Sequence, residues 1–440
     1  MIEQTVKIGL VGFGTIGCGV AKLLIENRRA IAEKMGLQLE LACVVDIDTK
    51  RPRPVKLPAG LLTDDINKLL SDRSIEIAIE LVGGTTAARD IILKMLAAGK
   101  DVVTANKAVL AEFGSELYAA AAAAGRCIAF EGSCAAGIPI ISAIRTGLAA
   151  NRIGAIYGIL NGTCNYILSR MTSEDSDFSQ ALAEARYHGY AEADPTLDIN
   201  GTDSAHKLAI LASIAFGYEI KLQDIFIEGI QDIRIEDCRY GGEMGYVVKL
   251  LAIGRKDEQD KVSLRVHPSF VVRNNALARV DGPFNAISIF GDFVGQTIYY
   301  GRGAGMNPTA SAVVADIIDV ALGNSTNTFR HLRIKPRNEI EGLIDTIDNL
   351  VSRFYIRVMA KDRPGVVAAY SKVLGDHQIS ISGALQHEGA GPDNTVPVVI
   401  TTHPTRQKNI TAALRQLRKL DVLSGEPVCI RIVDIPEDRD

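Results

Sequence analysis

Between Gly189 and Lys207 the chain reads G-Y-A-E-A-D-P-T-L-D-I-N-G-T-D-S-A-H-K. Glu192, Asp194, Asp198 and Asp203 supply carboxylates there, and Lys207 supplies an amine. Asp203 and Lys207 stand four residues apart, so on a helix they share one face. The apolar run that follows, Leu208-Ala-Ile-Leu-Ala, reads as that helix entering a core. Acid and amine at the mouth of a core helix look like a small polar site. The same spacing also describes an N-cap followed by a surface ion pair.

A second amine, Lys107, follows the strand-like run D-V-V-T-A-N. In an open parallel sheet that position is the carboxyl edge, where ligands bind, although a surface lysine reads the same way. Upstream, Gly12-Phe13-Gly14-Thr15-Ile16-Gly17 follows one strand and opens a helix, the setting in which G-x-G-x-x-G marks a dinucleotide site. Gly12 allows the tight turn, Gly14 lets backbone approach a pyrophosphate, and Gly17 lets helix and strand close up. Asp46 ends the second strand, where a carboxylate takes the adenosine ribose diol and repels a 2′-phosphate. That favours NAD over NADP. Lys50, Arg51 and Arg53 lie just beyond and could hold a phosphate instead. Hydride transfer needs a cofactor, a substrate clamp and a group that exchanges a proton with the reacting oxygen. Lys107, at the carboxyl edge of the sheet, stands where such a group could act.

Elements able to position these groups can be read from periodicity. Residues 5–11, 39–45, 75–82, 101–104 and 127–131 read as strands. Helices over 20–31, 86–98 and 112–124 alternate with them, which predicts a doubly wound α/β domain of the Rossmann type over residues 1–135. Residues 136–322 read as a second, α+β domain, with a helix over 139–150 and a helix over 309–322 that returns to the first domain. Residues 323–350 are polar and read as a linker. From 351 to 434 the order is βαββαβ, the ferredoxin-like plan.

Composition removes several classes. A net charge of −4 on 440 residues leaves no electrostatic footprint for nucleic acid or an anionic membrane. Seven cysteines are scattered without a C-x-x-C pair, which suits reduced thiols in a cytoplasm better than a disulfide framework or a zinc site. No apolar run approaches a membrane span.

Taken in order, Gly12–Gly17, Thr104-Ala-Asn-Lys107, Glu131-Gly-Ser-Cys-Ala-Ala-Gly-Ile-Pro139, Asn161-Gly-Thr-Cys-Asn-Tyr-Ile-Leu168, Gly189–Lys207 and Gly301–Asp316 resemble the homoserine dehydrogenase family over roughly residues 5–322. The C-terminal module resembles an ACT domain, an amino-acid-sensing appendage. The resemblance implies interconversion of L-homoserine and L-aspartate 4-semialdehyde with NAD or NADP. It makes Lys207 the proton donor and acceptor, with Asp203 beside it and Lys107 as the second lysine. It makes Glu192 the holder of the substrate amino group, with Asp198 nearby, and puts Gly305 near the cofactor. A lysine flanked by carboxylates stays protonated and ready to donate. Asp194 reads instead as a turn residue before Pro195.

The resemblance also implies a sodium or potassium site of structural role, formed by Glu131 with the carbonyls of Cys134, Ala136 and Ile138. Oxygen-only ligation suits such a hard cation. Arg302 departs from the smaller residues usual in its block. In the ACT-like module, Asp362 and Gly365 of the turn Asp362-Arg-Pro-Gly365 are the expected effector contacts, with threonine the implied effector and a homo-oligomer, dimer or tetramer, the implied assembly. Two other classes stand beside this one. A cysteine-dependent semialdehyde dehydrogenase would use Cys134 or Cys164 as nucleophile, which leaves the lysine and carboxylate cluster unexplained. A non-catalytic NAD-binding sensor would leave Lys107, Glu192, Asp203 and Lys207 without a purpose.

Overall fold

The computed structural model describes residues 4–387 and 395–436. The chain divides into two compact units. One takes the residues up to Gly154 together with His206–Asp224 and Phe290–Glu341; the other takes Ala155–Ala205, Ile225–Ile289 and the chain from Gly342 on.

In the first unit, strands β1 (Gln4–Val11), β2 (Leu37–Val45), β3 (Leu62–Thr63), β4 (Ile75–Glu80), β5 (Asp101–Thr104) and β6 (Ile128–Ala129) form a parallel sheet in the order β3-β2-β1-β4-β5-β6. β1 is buried from Ile8 on, and β4 everywhere but Glu76, as central strands of a parallel sheet are. The order reverses between β1 and β4, the switch point where such sheets bind ligands. Helices α1 (Thr15–Glu26), α2 (Arg28–Met35), α3 (Ile66–Ser71), α4 (Thr86–Ala97) and α5 (Lys107–Ala124) connect the strands.

The single helix expected over 20–31 is two, broken at Asn27. α2 buries none of its residues fully. α5 begins at Lys107 rather than Glu112, because the Asn106 side chain accepts the Val109 N–H at 3.2 Å and caps it. The helix expected over 139–150 is present over 140–147, α-helical for Ile140–Ser142 and then π-helical for Ala143–Gly147. Such turns gather at functional sites. The helix Met306–Ala321 lies so close to α1 that a Cβ on Gly19 would meet the Met306 side chain at 2.7 Å. The polar stretch after it carries the helix Asn324–His331, anchored by buried Phe329.

In the second unit one mixed sheet runs through Phe284–Gly291, Ile153–Ile159, Tyr246–Lys256, Val262–Val272, Leu423–Ile432, Val351–Lys361, Thr395–Thr402 and Ile381–Gln386, in that order. Val262–Val272 pairs antiparallel with Tyr246–Lys256. Its other edge takes three short parallel partners in succession: Ile344–Asp345, Phe226–Ile227, and Arg431 with Ile432. The last four strands with helices Val366–Asp376 and Gln407–Leu417 are the expected βαββαβ module. Phe354, Ile356 and Val358 alternate along its first strand and pack with Val373, Leu374, Ile410 and Leu417.

The module is also held by charge. Asp237 is fully buried at the start of the helix Ile235–Glu243. Its carboxylate accepts the Tyr355 hydroxyl at 2.9 Å and the Arg357 Nε and second guanidinium nitrogen at 2.7 and 3.1 Å. Removing one partner of such a pair costs about 3–5 kcal/mol, because the other charge stays buried. No helix among the described residues is long and apolar enough to cross a membrane.

Candidate active site

The glycine loop has the geometry a pyrophosphate needs. Gly12 sits at φ +97°, and a Cβ there would come within 2.5 Å of the Leu81 carbonyl. A Cβ on Gly17 would come within 2.1 Å of the Gly12 carbonyl. Gly14 faces open space and caps α1 without a side chain, so the first N–H groups of Thr15, Ile16 and Gly17 are unshielded by any cap. These residues fit a dinucleotide.

Asp46 ends β2 as expected, but it does not stand alone. Its carboxylate accepts the Phe13 N–H at 2.6 Å and the Asp48 N–H at 2.8 Å, and pairs with Arg53 at 3.1 Å. Burial alone would raise this carboxyl; the two N–H groups and the guanidinium hold it below the usual range. Arg53 spends its other donors on the carbonyls of Phe13, Arg51 and Asp48 and lies over the Phe13 ring.

At the ends of β4 and β5, Glu80 fixes the loop that leads into Lys107. Its carboxylate accepts the Val82 N–H at 2.7 Å and the Thr104 hydroxyl at 2.7 Å. Asn106 donates to the Gly84 carbonyl at 2.7 Å. Burial pushes the Glu80 carboxyl up. Sequence reasoning passed over Glu80, although an acid closing an apolar strand was a visible signal.

Lys107 and Lys207 both act electrostatically on the buried Cys134 thiol. The Cys134 Sγ also reaches the Lys207 carbonyl at 3.8 Å. Both lysines belong to the first unit, as Cys134 does. Burial pushes the Cys134 thiol up to about 12, which leaves it protonated and a poor nucleophile near neutral pH.

The loop after Cys134 is tightly built. Ala135 takes φ +46°, uncommon for a residue with a Cβ. The Ala136 and Gly137 N–H groups donate to the carbonyls of Gly303 and Arg302 at 3.2 and 2.8 Å. Arg302 thus meets this loop through its backbone, beside Gly305, which at φ +115° caps the helix Met306–Ala321. The Glu131 carboxylate accepts the Ile141 and Ser142 N–H groups at 2.8 Å each, and Ile138 accepts from Ile140. Each of these oxygens keeps a second lone pair, so an oxygen-coordinated monovalent cation remains chemically compatible with the loop.

In the second unit Asn161 organises the acids. It caps the helix Gly162–Ser173, accepting the Cys164 N–H at 2.8 Å. Its Nδ2 donates to Asp198 at 2.7 Å and to Asp203 at 2.8 Å. Asp203 and Lys207 lie on the helix Thr202–Phe216, 6% and 7% exposed, which removes the surface ion-pair reading. Glu192 stands exposed on the turn before Pro195. Asp194 is the turn residue it was read as, accepting the Thr196 N–H and hydroxyl. In the C-terminal module, Asp362 and Gly365 are exposed, and Gly365 at φ +92° caps the helix Val366–Asp376.

Comparison with known proteins agrees across the chain. The homoserine dehydrogenase family model matches residues 139–318, the homoserine dehydrogenase NAD binding domain residues 12–131, and the ACT domain residues 354–422. A homoserine dehydrogenase of Pseudomonas aeruginosa is 42% identical over 434 residues, 98% of this chain and 99% of its own. One from Neisseria gonorrhoeae is 40% identical over 98% of this chain and 99% of its own. The crystal structure of a homoserine dehydrogenase from Thiobacillus denitrificans matches with a TM-score of 0.87 at 40% identity over 98% of both chains. A hyperthermophilic archaeal homoserine dehydrogenase mutant solved with NADPH matches 72% of this chain and 98% of its own, with a TM-score of 0.61 at 27% identity. Cofactor loop and full-length relatives converge: the chain belongs to the homoserine dehydrogenase family, NAD(P)-dependent oxidoreductases, and carries a C-terminal ACT domain.

Proposed function

We propose that Lys207 is the proton-exchanging residue in the interconversion of L-homoserine and L-aspartate 4-semialdehyde. The observation that carries this is a buried lysine side chain, four residues along one helix from buried Asp203. In the reducing direction Lys207 hands a proton to the aldehyde oxygen as it becomes an alkoxide; in oxidation its amine takes that proton back. Bound NAD(P) supplies the hydride acceptor or donor. Asp203 and Asp198, held by Asn161, orient and balance the lysine. Lys107 adds a second positive charge for the developing alkoxide. Glu192 takes the substrate ammonium.

NAD is the favoured cofactor. Asp46 stays ionised at the end of β2, and the Arg53 donors are engaged by backbone carbonyls rather than directed to a phosphate. Glu131 with the carbonyls of Cys134, Ala136 and Ile138 holds a sodium or potassium ion. The ACT domain responds to an amino acid, threonine, with Asp362 and Gly365 as contacts. Exposed Phe293, Ile298 and Tyr300 on and beside the strand Gly295–Arg302 favour a homo-oligomer, dimer or tetramer. The free cysteines suit a cytoplasmic location.

The test is steady-state oxidation of L-homoserine with NAD and NADP in parallel, with and without threonine. A lower KM for NAD is expected; a lower KM for NADP would overturn the Asp46 argument, and no turnover with either would overturn the catalytic assignment.

A further inference from the structure

A cavity of about 700 Å³ opens in the second unit between the segment Phe226–Arg234 and the C-terminal module's helix Gln407–Leu417 and strand Leu423–Ile432. Its charged lining is balanced and organised. Arg431 is 4% exposed, with Nε on Gln407 at 2.9 Å, a second nitrogen on Glu228 at 2.7 Å, and its guanidinium over the Phe226 ring. Arg234, Asp232 and Asp348 also line the cavity and make no ion pair among the described residues. Two exposed acids and one exposed guanidinium, around a floor of buried polar groups, match the two charges of a zwitterion.

The cavity wall is joined to the acids of the active site by backbone. The Glu228 N–H donates to Val266, and the Ile230 N–H donates to the Ile199 carbonyl at 2.8 Å. A Cβ on Gly229, between them, would lie 2.3 Å from that same carbonyl and 2.7 Å from the Asn200 Cα. Ile199 follows Asp198 directly, and Asp198 is tied through Asn161 to Asp203. A shift of the wall has no slack to absorb it before Asp198.

We propose that this cavity is a second amino-acid site, distinct from the Asp362–Gly365 turn, and that a free zwitterionic amino acid bound there acts on the enzyme by moving the Gly229–Ile199 contact. The proposal rests on reading the C-terminal module as an amino-acid sensor.

The experiment uses the full chain with L-threonine, L-methionine and L-isoleucine as probes, by titration calorimetry and by inhibition of homoserine oxidation. Arg234→Ala removes an exposed charge, and Thr411→Trp fills the cavity from the helix; neither residue belongs to the catalytic machinery. Asp362→Ala reports on the turn. The expected result is that both cavity variants weaken binding and inhibition by the active probe about tenfold or more, with kcat in its absence unchanged. Asp362→Ala retains the cavity event, and the N-acetyl and methyl-ester forms of the probe fail to bind. Unchanged binding and inhibition in both cavity variants would overturn the site while leaving the sensor reading intact, most clearly if Asp362→Ala abolished them. Equal binding of the N-acetyl form would overturn the zwitterion. If no probe binds the wild-type chain, the sensor reading falls too, and the site with it.

Discussion

Replacing Asn161 with alanine removes three hydrogen bonds at once: the cap on the Cys164 N–H and the two donations to Asp198 and Asp203. Loss of an N-cap costs about 1 kcal/mol. A hydrogen bond to a charged group contributes roughly 1.5–3 kcal/mol. The deletion also leaves two carboxylates facing each other across the vacated amide. At a separation of about 5 Å and an effective dielectric of about 20, that repulsion is about 3 kcal/mol. Side-chain rotation relieves much of it, so a net loss of about 2–4 kcal/mol is expected. If half of this is felt at the reacting centre, kcat/KM for homoserine falls about tenfold, since each 1.4 kcal/mol is a factor of ten. Asn161→Ser separates the two roles. Its hydroxyl can still cap the helix, so thermal stability recovers by about 2–4 °C over the alanine variant, while kcat/KM stays low because the donations are not restored. Steady-state kinetics and thermal melts of both variants, side by side, make the comparison. Wild-type kcat/KM in Asn161→Ala, or full catalytic recovery in Asn161→Ser, would refute the idea that this amide organises the acids.

Lys207→Ala is expected to abolish turnover while NAD binding, read by fluorescence quenching or calorimetry, persists; retained kcat would remove Lys207 from proton exchange. Cys134→Ser is expected to keep most activity, and iodoacetamide near neutral pH to leave the wild-type enzyme active, because burial holds the thiol near about 12; substrate-protected inactivation would revive a cysteine nucleophile. Asp316 accepts the Glu131 N–H at 2.8 Å, and burial, with the nearby Glu131 charge, lifts its carboxyl well above the usual range. Because its folded value exceeds the unfolded one, the stability it supports is present at low pH and is lost as pH rises through the folded value. Asp316→Asn keeps an acceptor and removes the ionisation. It should therefore melt higher than wild type near pH 8, with the gain vanishing below about pH 4; a pH-independent difference would contradict the buried-acid reading.

Much of the cofactor half was legible from local pattern. A strand, G-x-G-x-x-G and a helix require one another, and each glycine's reason is a short-range clash, as at Gly12 and Gly17. The βαββαβ order of the C-terminal module followed from periodicity in the same way. Helix limits were less legible where a cap decides them: Asn106 moved the start of α5 forward to Lys107.

Other features lay beyond any local reading. Asn161 meets Asp198 and Asp203 across 37 and 42 residues, and one amide looks the same in sequence whether it caps a helix or also bridges two acids. By residue type Arg53 could equally hold a phosphate or lie in a solvated loop; it does neither, folding back on Asp46 and the Phe13 carbonyl. The joining of Arg431 and Ile432 to the Val262–Val272 strand had no signature either, because backbone pairing leaves little trace in side-chain type. The sequence by itself determined which residues could do chemistry and which loop would hold the cofactor, since residue type and short spacing set both. Only the tertiary structure decided which acids Asn161 gathers, how Asp46 is balanced, and that the ACT domain shares a sheet with the Val262–Val272 strand. Those outcomes depend on contacts between distant segments, and burial makes each of them matter by withholding water as the alternative partner.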